Sequence, residues 1–113
     1  MKNLKIVIAL VFGSIIASCQ SNTFSEVGEV VTNPTYVKNV APIINSNCIS
    51  CHNGNQYPNL SNYDNVKEAT LNGDVICRID TQSCGNVMPQ TGRMPQNTID
   101  IVKLWAVNGY INQ

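Results

Sequence analysis

Residues Cys48-Ile49-Ser50-Cys51-His52 (CISCH) place two thiols and an imidazole within one turn of chain. Four chemistries use such a cluster: a zinc knuckle, a dithiol redox pair, a disulfide and a covalently attached haem. The rest of the chain discriminates among them. A structural zinc site takes four Cys or His ligands, normally from two knuckles. Here His52 is the sole histidine and there is no second C-x-x-C, so zinc would need Cys77 or Cys84 as an unusual fourth ligand. A thioredoxin-type pair expects a βαβ surrounding, and no stretch alternates long enough to read as a strand. In C-x-x-C-H, by contrast, two cysteines reach two vinyl groups on one porphyrin edge and the next residue ligates iron beneath the ring. Covalent haem accounts for all three residues.

The 113 residues suffice for one small domain. Charged residues make up 12% and the formal net charge is zero, so no basic field attracts nucleic acid. Hydrophobic residues make up 43%, but part of that mass lies in the first 16 positions. A domain so small generally relies on a disulfide, metal or cofactor for stability.

Lys2 and Lys5 precede an apolar run from Ile6 to Ile16, too short to span a bilayer and read as a secretory signal. The run ends Ile16-Ala17-Ser18-Cys19, which resembles the lipobox of bacterial lipoproteins. That resemblance implies a signal peptide over 1–18, with Cys19 lipidated as the first mature residue. Gln20, in place of the aspartate associated with inner-membrane retention, implies the periplasmic face of the outer membrane rather than the inner membrane. The mature chain would keep five cationic and seven acidic side chains, a net charge of about −2 that selects no strongly charged partner. Residues 19–33 are expected to be a lipidated, flexible tether reaching about 20 Å.

Three helical segments are expected within 34–113. The first is capped by Asn33 with Pro34 at its first position. Its apolar face comprises Tyr36, Val37, Val40, Ile43 and Ile44, with a break near Val40 imposed by Pro42. The second is capped by Ser61 and stops at Gly73. The third starts at Asn97 or Thr98, carries Ile101, Val102, Trp105 and Ala106, and ends near Gly109. Asp74 to Gln96 reads as loop. The fold class expected is all-α, with three main helices and long loops.

Across Thr35–Asn112 the chain resembles the small monohaem c-type cytochromes. The stretches that carry the resemblance are VKNVAPIINSNCISCH, PNLSNYDNV, the MPQTGRMP loop and IDIVKLWAVNGYIN. It implies a cytochrome c-like fold around one covalent haem c, with thioethers at Cys48 and Cys51, His52 as an axial iron ligand and a loop methionine opposite. With a single histidine, the second ligand is expected from Met88 or Met94, each followed by proline. Met88 lies further out in the loop, where the family places its ligand, and the family pattern puts an apolar core residue at Met94. Met88 is therefore the expected ligand and Met94 the alternative. Cys77 and Cys84 remain after the other cysteines are assigned, and in an oxidising compartment they are expected to pair as a disulfide. That pairing departs from the commonest family pattern.

The function implied is lipid-anchored, single-electron transfer to transient redox protein partners. No acid–base or nucleophilic pair suggests an enzyme, and no small-molecule substrate is indicated. The alternative is a haem-based sensor or ligand-binding protein with an open sixth position. A carbonyl near Pro58 is the expected acceptor for the second ring nitrogen of His52. Arg78 and Arg93 are candidates for haem propionates or for solvated surface.

Overall fold

The computed structural model describes residues 30–113, so Cys19, the signal segment and most of the tether lie outside the described residues. Val31–Gln113 forms one compact unit. Its elements in chain order are a π-helical turn at Tyr36–Val40, then α1 (Ala41–Asn47), α2 (Tyr63–Leu71), α3 (Val75–Ile79) and α4 (Gln96–Val107). No strand occurs among the described residues, and the domain is all-α. None of its helices is long and apolar enough to cross a membrane.

The chain enters the fold at Pro34, which is fully buried. The cap is Thr35 rather than Asn33: its side chain accepts the Lys38 N–H at 3.3 Å, and Asn39 Oδ1 accepts the Thr35 N–H at 3.0 Å. With Pro34 committed to the interior, the helix starts two residues later. The break near Val40 takes the form of a register change. Val40 N–H reaches back to Thr35 O and Ala41 N–H to Tyr36 O, both five residues away. The wider turn precedes Pro42, which has no N–H and whose ring crowds the carbonyl four residues earlier. Val37, expected on the apolar face, points largely to solvent at 56% exposure.

α2 is capped by Asn62 instead of Ser61. The Asn62 side chain accepts the Asn65 N–H at 3.0 Å, while the Ser61 N–H is taken by Asn59 Oδ1. Asparagine and serine cap equally well, so the register that buries Val66, Ala69 and Thr70 decides between neighbours. Gly73 follows the helix where a Cβ would come within 2.5 Å of the Ala69 carbonyl oxygen, so only glycine fits.

α3 corrects the expectation of continuous loop from Asp74 to Gln96, so that four α-helices occur among the described residues where three were expected. α4 begins at Gln96, because the Pro95 carbonyl accepts the Thr98 and Ile99 N–H groups. Its buried face is Ile99, Val102 and Trp105, with Ile101 and Ala106 only half-buried.

Two apolar clusters share α4 as a wall. Trp105 joins Val40, Ile44, Leu60, Val66 and Ala69, with Tyr36, Tyr63 and Tyr110 packed around. The Trp105 ring meets Tyr110 edge-on at 4.9 Å, and its Nε1–H donates to Ile111 O at 2.9 Å. That carbonyl also accepts the Tyr36 N–H, tying the C-terminal tail to the first turn. Ile99 and Val102 belong to the second cluster, with Ile79 and Met94.

Candidate functional site

Cys48 caps the C-terminal end of α1, its N–H donating to Ile44 O at 2.8 Å. The Cys48 carbonyl in turn accepts from Cys51 N–H at 3.2 Å and His52 N–H at 2.9 Å. The pentapeptide is thus one further helical turn that brings both cysteines and the histidine to a common side of the fold. Leu60 N–H then donates to His52 O at 2.7 Å, closing the loop that follows.

His52 is buried, and its Nδ1 lies 2.9 Å from Pro58 O. A carbonyl oxygen only accepts, so Nδ1 is the donor, and in the neutral ring Nε2 is left with the lone pair. This is the tautomer a metal-ligating imidazole needs, with its outer nitrogen oriented by a backbone carbonyl. Cys48 is half-buried and Cys51 exposed, and neither is bonded to another sulfur. Burial pushes the Cys48 thiol up to about 11, so it is protonated at neutral pH. A C-x-x-C redox pair has its reactive thiol shifted the other way.

Cys48, Cys51, His52 and Met88 all line one cleft of about 540 Å³, within the range of cofactor sites. Its floor includes Leu60, Ala69, Val75 and Ile79. Met94 does not line the cleft; it is buried beside Ile79, Ile99 and Val102 in the second apolar cluster. The structure therefore separates two methionines whose local sequences are alike. Tyr57 stands at the cleft and is 91% exposed, and Pro58 supplies both lining surface and the His52 acceptor. Tyr63 turns away from the cleft, its hydroxyl donating to Tyr110 O at 2.8 Å.

Cys77 and Cys84 are joined by a disulfide with Cα atoms 5.9 Å apart. Neither is then free to complete a zinc set with Cys48, Cys51 and His52. Arg78 lines the cleft, whereas Arg93 is drawn off to the Asp80 carboxylate at 3.4 Å. Asp80 also pairs with Lys103 at 2.6 Å. The hydrogen bond from Lys103, foremost, holds the Asp80 carboxyl below the usual aspartate range.

Sequence reasoning missed the share of α3 in the site. Val75 and Ile79 form part of the apolar floor, and the Arg78 carbonyl accepts the Met88 N–H at 3.2 Å. The available signal was the apolar spacing of Val75, Ile76 and Ile79 directly after Asp74.

The donor set suits covalent haem: two unpaired thiols, a histidine with its coordinating nitrogen free, and a thioether share a largely apolar cleft. Comparison of the chain with protein-family models, curated proteins and solved structures gives no match.

Proposed function

We propose that this chain is a single-electron carrier with one covalently bound haem c and a cytochrome c-like fold. In this reading it is tethered by lipid at Cys19 to the periplasmic face of a bacterial outer membrane. The observation that carries the redox assignment is the convergence of Cys48, Cys51, His52 and Met88 on one cleft. Cys48 and Cys51 would hold the haem as two thioethers, each thiol supplying both the sulfur and the hydrogen that a vinyl group takes up, with no net change in electrons. His52, through Nε2, and Met88, through its thioether sulfur, would hold the iron in both oxidation states, so the protein would have little to rearrange between them. Bound haem supplies one-electron ferric–ferrous chemistry, and a histidine–methionine pair raises its potential above that of two histidines. The apolar lining of Leu60, Ala69, Val75 and Ile79 would limit water at bound haem and favour its less charged, ferrous form. Partners in electron transfer would meet the protein through small, transient interfaces.

Substituting each methionine by leucine tests the ligand assignment while nearly conserving volume. Met88→Leu is expected to abolish the weak red absorption band of ferric haem with a thioether ligand, and Met94→Leu to keep it. The reverse pattern would move the ligand to Met94. Ready binding of carbon monoxide by the wild-type ferrous protein would replace the carrier by a ligand-binding protein with an open sixth position.

A further inference from the structure

The Cys77–Cys84 disulfide and Arg78 are not among the four side chains assigned to the haem, yet the chain leading to Met88 is fastened to them. Met88 donates its N–H to the Arg78 carbonyl at 3.2 Å, and Arg78 Nη1 donates to Asn86 O at 3.1 Å. Arg78 lies inside the ring that the disulfide closes. Within that ring Gln82 N–H returns to Cys77 O at 2.7 Å, reversing the chain. The guanidinium is seated closely against the returning segment. A Cβ on Gly85 would come within 3.1 Å of Arg78 Nη1, and Gly85 has φ of +113°, where side chains are disfavoured. Beyond this anchored stretch, Met88 packs against the second apolar cluster.

We infer that the disulfide-closed segment Cys77–Cys84, bridged to Asn86 by Arg78, is a positioning device for the Met88 thioether. The inference rests on the proposed role of Met88 as an iron ligand. A tethered ligand competes with an external one in proportion to its effective concentration at the metal. Three ties on the approach to Met88 narrow the loop's excursions and keep that concentration high. Cutting the ties lowers the fraction of molecules with sulfur in place and exposes that coordination position to small ligands.

The test is titration of the haem-bearing ferric protein with imidazole, alongside the thioether absorption band. Circular dichroism establishes that each variant is folded. Replacing both cysteines (Cys77→Ser with Cys84→Ser) is expected to raise imidazole affinity about tenfold and to weaken the band. Arg78→Gln, with the disulfide intact, is expected to raise it about threefold. A purely structural staple would lower the unfolding midpoint and leave imidazole affinity unmoved at temperatures well below it. Unchanged affinity in both variants overturns the inference. Should the double variant fail to fold, unchanged affinity in Arg78→Gln overturns it alone. Absence of covalent haem or of the thioether band in the wild-type protein is a different failure, since it removes the proposed function before any variant is compared.

Discussion

The two sides of α4 are built by different physics. On one, Trp105 sits at the centre of an aromatic group with Tyr36, Tyr63 and Tyr110, over the aliphatic residues of the π-helical turn, α1 and α2. On the other, a smaller cluster of Ile79, Met94, Ile99 and Val102 underlies the segment from α3 to α4. That segment has one five-residue helix of its own and is fastened by a disulfide and by ion pairs converging on Asp80. The first side gains stability from buried area and matched rings; the second substitutes cross-links for area. The difference falls where the proposed site divides. The histidine side of the cleft is rooted in α1 and its continuation, and the methionine side in the cross-linked segment.

Removing the centre of the aromatic side is expected to have the largest effect. Trp105→Ala deletes a fully buried ring and the Nε1–H bond to Ile111 O. A loss of about 3–5 kcal/mol is expected, read as a fall in the denaturant midpoint or as failure to fold. A loss below about 1 kcal/mol would mean that the aromatic cluster is not the principal core.

Opening the disulfide is expected to cost less. By loop-closure entropy a ring this short contributes about 2–3 kcal/mol. Thermal unfolding of the Cys77→Ser, Cys84→Ser variant should show that decrement. A destabilisation matching that of Trp105→Ala would erase the distinction between a packed side and a stapled one.

The smallest effect belongs to Asp80. Its carboxyl is held below the usual aspartate range by Lys103 first, with Gln96 and Arg93 adding to it. The folded value is thus depressed relative to the unfolded chain, so the associated stability is present above about pH 3.9 and is lost as pH falls through the folded value. Unfolding midpoints followed down through that range should fall less steeply in Asp80→Asn than in wild type. Identical slopes would show that the ion pairs on this side contribute nothing measurable.

The packed side was also the more legible in the sequence. Periodicity in Val40, Ile44, Val66 and Trp105 identifies its helices, and Pro42 announces the change of register before Ala41. Boundaries were harder where chemically equivalent residues sit close together. Asn33 competes with Thr35, and Ser61 with Asn62, and burial elsewhere settles each case. α3 escaped because five residues hold too few turns to establish a period, and its stability comes from what it packs against. Met88 and Met94 share the same Met-Pro context, so only tertiary placement separates them: Met94 lies under the start of α4, and Met88 faces the cleft. CISCH itself was the clearest local signal. The turn that follows it carries the Pro58 carbonyl, which lies 2.9 Å from His52 Nδ1, as expected from the way metal-ligating histidines set their other ring nitrogen on a carbonyl rather than from any periodicity.

The measurement that bears most directly on the central claim is the intact mass of the denatured protein, produced in a host that attaches haem to exported chains. A mass exceeding that of the processed, lipidated polypeptide by one haem, and returning to it in a variant lacking both Cys48 and Cys51, is the predicted result. A mass equal to polypeptide plus lipid alone would contradict it.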